Sequence, residues 1–225
     1  MKRKQWIIIA VSCLLLIGAA VQINALVKSD SKPLDGVVIV VDPGHGGKDE
    51  GAQKEGVKEA QINLAIAKEV KEELEAQGAS VILTRDGAYD LASEGTRNRK
   101  KEDMKKRADI INADRVDLFL SIHLNAFPNV EIHGAQVFYQ KDDEAGKAFA
   151  DIIQRRLNEF NQTDKKSKTG DYYILNETNH PGILVECGFL SNAADREHLT
   201  DASYQQEIAK LLRDGVCEYL EVLSL

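Results

Sequence analysis

Apolar residues along this chain fall into short unbroken runs, separated by longer stretches with a beat of three to four residues. Gly36-Val-Val-Ile-Val-Val-Asp42 is a compact β-branched run and predicts a strand buried on both faces. From about Val57 to Gln77 the apolar positions Ile62, Ala65, Ile66, Val70 and Leu74 recur at helical spacing, and Gly78 stands where a helix-ending glycine belongs. The same reading predicts strands at 79–84, 117–123, 135–140, 172–175 and 182–186, and helices over about 99–113, 143–160 and 205–222. The polar stretches 85–97 and 124–133 read as loops. Strands and helices alternate through most of the chain, so the fold class is α/β: a mainly parallel sheet with helices on both faces.

The first residues follow a different rule. Met-Lys-Arg-Lys precedes an uncharged segment, Trp6 to Val21, and apolar character continues to Val27. A basic start followed by an apolar segment is the pattern of a secretory signal peptide or a membrane anchor, assigned here to residues 1–28. Either fate leaves the rest of the chain extracytoplasmic, secreted or held at the outer side of the membrane, because the basic cluster stays inside. Residues 29–35 read as a linker and 36–225 as a single catalytic domain, a size that suits the 225-residue chain with its 43% hydrophobic residues. The formal charge of −7 argues against nucleic acid as a partner, which needs clustered Lys and Arg. Of the three cysteines, Cys13 lies in the apolar segment, and Cys187 and Cys217 read as isolated buried thiols.

Open parallel sheets place their working groups beyond the carboxyl ends of the strands. His45 lies in the glycine-rich loop Pro43-Gly44-His45-Gly46-Gly47 after the first strand, His123 ends the third, and Glu186 ends the run Ile183-Leu-Val-Glu. Glu59 sits in the first turn of the helix after the His45 loop and can turn back toward it. Two histidines and a carboxylate from separate elements form the ligand set of a catalytic Zn²⁺ site with an open position for water. Such a metal acidifies water and polarises a carbonyl. A second, unligated carboxylate, Glu186, then suits a general base and acid. Gly44, Gly46 and Gly47 let the backbone take positive φ and approach a metal closely. Asp42 is a weaker candidate to orient His45. A lone histidine at a strand end is usually an ordinary satisfied polar residue, so the case rests on four groups meeting at one rim.

Four segments, in order, carry a family resemblance: Val41-Asp-Pro-Gly-His-Gly-Gly47, Lys58-Glu59, Ser121-Ile-His-Leu-Asn-Ala126 and Leu184-Val-Glu-Cys-Gly-Phe-Leu-Ser-Asn192. Together they resemble the zinc N-acetylmuramoyl-L-alanine amidases of the amidase-3 type over about residues 36–220. The resemblance implies a twisted, mostly parallel sheet of about six strands flanked by helices. It implies His45, Glu59 and His123 as metal ligands and Glu186 as the catalytic carboxylate. The reaction it implies is hydrolysis of the amide between the lactyl group of N-acetylmuramic acid and L-alanine in peptidoglycan. The stretch Asp90-Leu-Ala-Ser-Glu-Gly-Thr96 with the residues after it, and the single N-terminal apolar segment, are similar to the spore-former amidases that prepare cortex for muramic lactam and hence for germination. That narrower likeness implies a partner deacetylase acting in sequence and, in some members, an accessory protein.

Other residues enter with less weight. Asn125, two positions past His123, faces the same way and is a candidate substrate contact. Arg85 and Arg107 are candidates to meet substrate carboxylates, with a structural salt bridge the stronger reading for Arg107. The run Lys100, Lys101, Lys105, Lys106, Arg107 reads as a solvated helix face, and His133 and His180 as loop residues outside the site. Three rival functions stay open on sequence: a zinc peptidase cutting within stem peptides, a membrane-tethered zinc-binding module that recognises wall, and a cysteine hydrolase built on Cys187.

Overall fold

A computed structural model describes residues 31–223; the segment 1–28 read as signal or anchor, and Cys13 with it, lie outside the described residues. Eight strands are present: β1 (Val38–Pro43), β2 (Gln53–Lys54), β3 (Val57–Lys58), β4 (Ser80–Leu83), β5 (Leu118–Asn125), β6 (Gln136–Tyr139), β7 (Lys168–Thr169) and β8 (Gly182–Phe189). Six helices accompany them among the described residues: α1 (Glu59–Ala76), α2 (Arg99–Ile111), α3 (Glu144–Asn161), α4 (Tyr173–Asn176), α5 (Ala193–Thr200) and α6 (Ala202–Leu223). Six of the strands form one sheet in the order β4-β1-β5-β8-β6-β7, and β2 and β3 make a small separate hairpin. The pairs β1–β4, β1–β5 and β5–β8 are parallel; β6 runs antiparallel to β8. The twisted, mostly parallel six-stranded sheet flanked by helices is the architecture expected.

The two faces of the sheet are covered unequally, and this creates the site. Strand residues alternate between faces. Ile39 and Val41, Leu118, Leu120 and Ile122, and Ile183, Val185 and Cys187 pack with apolar stripes of three long helices: Ile62, Ile66 and Val70 of α1, Phe149 and Ile153 of α3, and Ile208 and Leu212 of α6. The opposite face carries Val40, Phe119 and Leu184, covered by Ala108 and Ile111 of α2 and by Ile174 and Leu175 of α4. By the same alternation this second face also carries Asp42, Ser121, His123 and Glu186 toward the strand ends, where polar groups replace the apolar cover. Leu34, within the stretch read as linker, is wholly buried in the larger core.

Some elements differ from expectation. The run 172–175 predicted as a strand is instead the single helical turn α4, and the sixth strand is the short β7. A strand would send Ile174 and Leu175 to opposite sides; the turn, closed by Leu175 N–H donating to the Tyr172 carbonyl at 3.0 Å, sends both into one core. Helix α5, capped by Asn192 Oδ1 accepting from Asp195 N–H at 3.0 Å, and the β2–β3 hairpin were not foreseen. Cys187 and Cys217 are free. Among the described residues no helix is long and apolar enough to cross a membrane.

Candidate metal centre

Strand β1 delivers the first donor. The chain leaves the sheet through Pro43-Gly44-His45, and His45 itself adopts φ 62°, a region that residues bearing a Cβ rarely enter. Gly46 follows at φ 127°, accessible in practice to glycine alone. Gly44 is small for a different reason: a Cβ there would stand 2.3 Å from the His123 ring. The second imidazole is therefore seated directly on the backbone of the loop that bears the first.

Glu59 opens α1 and turns back, as its position implied. Its Oε2 accepts from Ala52 N–H at 2.8 Å, and its Oε1 from Leu124 N–H at 3.1 Å and Asn63 Nδ2 at 3.3 Å. The same Oε1 lies 3.1 Å from His45 Nε2 and 3.0 Å from His123 Nδ1. The two rings meet edge to face with centroids 5.0 Å apart. One ligand atom from each of His45, Glu59 and His123 lies within 4.8 Å of the other two, a triangle small enough to close on one cation. Nδ1 of His45 is 3.0 Å from Asp49 Oδ1 but makes no aligned hydrogen bond. A buried carboxylate between two imidazoles is the donor set that suits Zn²⁺.

Electrostatics agree with a site built for a cation. Burial alone would raise Glu59, but facing His123 and His45 outweighs it and holds the carboxyl well below its usual range. Burial opposes the charge of His45, yet Glu59 and then Asp49 raise its pKa above 6.5. A metal cation bound there would compete for the place of those protons.

Parallel pairing of β5 with β8 sets Glu186 opposite His123. Glu186 is 6% exposed, and its Oε2 has no hydrogen-bond partner. Burial pushes its pKa up to about 7; the charge of Glu59 adds to the rise, while His123, His45 and the Tyr172 hydroxyl oppose it. A carboxylate that exchanges protons near neutrality is suited to take and return one. Glu186, the three candidate donors, Asn125 and Tyr172 share one open cleft of about 470 Å³, whose apolar lining includes Met104 and Ile174.

Several secondary readings change. Asp42 does not orient His45: it accepts from Thr84 Oγ1 at 2.6 Å, Ser121 Oγ at 2.7 Å and Arg107 Nη1 at 2.7 Å. Asp49 stands beside His45 instead. Arg85 and Arg107 are each 1% exposed, too deep for substrate, and grip backbone carbonyls; Arg107 also makes the expected salt bridge and so leaves the solvated face of its helix. His133 lines a separate surface cleft. Cys187 is fully buried on the face away from Glu186, and burial pushes its thiol far up, which removes the basis of a cysteine mechanism. Tyr172, Asp49 and Asn63 were missed in the sequence; an unremarkable residue in a loop or on a helix gives no signal until the chain is folded.

The comparisons with known proteins point one way. A family model described as Amidase_3, N-acetylmuramoyl-L-alanine amidase, matches residues 39–218. The germination-specific N-acetylmuramoyl-L-alanine amidase of Bacillus subtilis (strain 168) is 38% identical over 196 residues, 84% of this chain and 82% of that protein. Among solved structures, the CwlD amidase from Clostridioides difficile, in complex with the GerS lipoprotein, superposes with a TM-score of 0.80 at 39% identity, covering 83% of this chain and 99% of that one. The catalytic domain of CwlV from Bacillus (Paenibacillus) polymyxa var. colistinus gives a TM-score of 0.73 at 32% identity, covering 83% and 99%. This chain belongs to the Amidase_3 family of N-acetylmuramoyl-L-alanine amidases.

Proposed function

We propose that this N-acetylmuramoyl-L-alanine amidase is a zinc enzyme in which His45, Glu59 and His123 hold the metal and Glu186 moves the proton. The observation that carries the reading is the convergence of three donor atoms within 4.8 Å, with an unpartnered carboxylate oxygen of Glu186 in the same cleft. Bound there, Zn²⁺ supplies Lewis acidity for the amide carbonyl and for water. Backbone N–H groups of Ala52 and Leu124 hold Glu59, and the His123 ring rests against Gly44, so these two ligands are already in place. Glu186 takes a proton from the attacking water and returns it to the departing nitrogen of L-alanine. Asn125 contacts substrate from the strand end. Digestion of purified peptidoglycan should release peptides with a free N-terminal L-alanine. Activity should vanish with a chelator and return with Zn²⁺. Peptides cut internally, or chelator-resistant activity, would overturn the reading.

The narrower role follows from the relatives. A germination-specific amidase and an amidase solved with a lipoprotein are both similar along most of their length. By that likeness the enzyme acts outside the cytoplasmic membrane on spore cortex, upstream of muramic lactam formation, with an accessory protein of the same kind. Muramic lactam absent from the cortex of a deletion strain is the expected result.

A further inference from the structure

Directly beneath the metal loop lie two guanidinium groups with almost no access to water. Arg85 Nε donates to the carbonyls of Pro43 at 3.0 Å and His45 at 2.7 Å, and Arg85 Nη2 to the carbonyl of Gly44 at 2.8 Å. Arg107 Nη1 donates to the Pro43 carbonyl at 2.7 Å, and its Nη2 to the His45 carbonyl at 2.5 Å. Three successive carbonyls thus point at one pair of cations. In an extended strand successive carbonyls alternate in direction. Turning all three to one side requires the chain to curl, and the curl is where His45 takes its positive φ.

We propose that Arg85 and Arg107 form a backbone clamp that fixes the orientation of His45 toward the metal, and are positioning residues for metal binding. The clamp reaches every donor segment. Arg85 Nη2 also donates to the Ala60 carbonyl at 2.9 Å, one residue past Glu59. Arg107 holds Asp42, which accepts from Ser121 on β5, two residues before His123. Arg107 is neutralised by Asp42 at 2.7 Å and Asp103 at 2.9 Å. Among the described residues no carboxylate lies within ion-pair distance of Arg85; it is satisfied by carbonyls alone, the fifth being that of Gly87 at 2.9 Å. A buried charge without a counterion is costly unless its hydrogen bonds are complete. Arginine meets that demand here with all three nitrogens of its planar fork, Nε shared by two carbonyls, Nη1 reaching one and Nη2 two. Lysine keeps the charge, but it offers three donors from one atom and cannot hold three nitrogens' worth of carbonyls.

The inference rests on the reading of His45, Glu59 and His123 as metal ligands, and the experiment separates the two. Zn²⁺ affinity is measured on the full chain by competition with a chromophoric chelator, and thermal melting is followed in chelator. Wild type should bind one Zn²⁺, and His45→Ala should lose that affinity; if wild type binds none, the metal reading fails, whatever the arginines do. Arg85→Lys and Arg107→Lys should each weaken Zn²⁺ about 10–100-fold, the range for partners that orient metal ligands. Leu157→Ala, in the core of α3 on the other face, should lower the melting temperature and leave Zn²⁺ affinity unchanged, which is the signature of a purely structural loss. Should Arg85→Lys not fold, Asp103→Asn decides, since it loosens the seat of Arg107 from the edge of the cluster. Wild-type Zn²⁺ affinity in the folded clamp variants, with His45→Ala impaired, overturns the proposal.

Discussion

Two buried polar clusters lie one above the other at the carboxyl rim of β1 and β5, and they obey opposite rules. The lower one, Asp42, Thr84, Arg85, Asp103, Arg107 and Ser121, is closed: its carboxylates accept from hydroxyls, guanidiniums and backbone N–H, and its guanidiniums end on carbonyls and carboxylates. The upper one is open. Among the described residues four buried side-chain polar atoms lack a hydrogen-bond partner, and three of them, His45 Nδ1, Asn63 Oδ1 and Glu186 Oε2, lie at the candidate metal centre. The fourth, the Tyr219 hydroxyl, lies in the helical core. Unsatisfied buried groups are expensive and rare. The difference teaches which cluster seats the backbone of the loop and which is left open to a ligand, although both are charged, buried and built from the same strands.

The largest effect should come from the open cluster. Glu186→Gln keeps shape and replaces the free oxygen by an amide that cannot shuttle a proton. Turnover on peptidoglycan should fall about 10²–10⁴-fold, while the melting temperature stays near that of wild type. Turnover within a few-fold of wild type would break the comparison at its centre, because an unpartnered oxygen would then mark nothing chemical.

Next comes the closed cluster. Asp42→Asn removes the charge that faces Arg107 at 2.7 Å, with both side chains at most 2% exposed. Breaking one side of a buried pair costs about 3–5 kcal/mol, visible as a lower midpoint in denaturant. The pH dependence has a definite sign. Burial alone would raise Asp42, but Arg107 first, then Thr84 and Ser121, outweigh it and put its pKa below 3.8 in the folded protein. Its contribution is therefore present above that ordinary value and lost as pH falls through the folded value. The variant should unfold less steeply with acid than wild type. A midpoint shift below about 1 kcal/mol would show that the lower cluster is not held by its charges.

What could be read from the sequence divides along the same line. The sheet was legible because Ile39–Val41 and Leu118–Ile122 are buried on both faces and so read as continuous apolar runs. The candidate site was legible because His45 follows β1, Glu59 opens a helix, and His123 and Glu186 lie in the carboxyl-terminal halves of β5 and β8, although both strands run on, to Asn125 and Phe189, past the ends read from the sequence. The tyrosines at 172 and 173 misled, since four residues of apolar and aromatic character fit a strand or one helical turn equally. The arginine clamp was invisible for a different reason. Arg85 and Arg107 are 22 residues apart, one in a loop and one in a basic helix, and nothing local says that their charges point inward at carbonyls of residues 43–45. Long-range polar satisfaction leaves no periodic trace.

The smallest expected effect tests how far the open rule extends beyond the donors. Asn125 ends β5 just past an irregularity in its pairing with β8, is half-buried and lines the cleft. Its side-chain amide makes no hydrogen bond within the described residues. If unpaired polar groups in this cleft await substrate, Asn125→Ala loses one ordinary hydrogen bond made equally in ground and transition states. KM on peptidoglycan should then rise about 2–10-fold with kcat nearly constant. A fall in kcat at constant KM would move Asn125 among the groups that act only in the transition state. No change in either constant would confine the rule to the metal centre and Glu186, and would make Asn125 a polar end to its strand and nothing more.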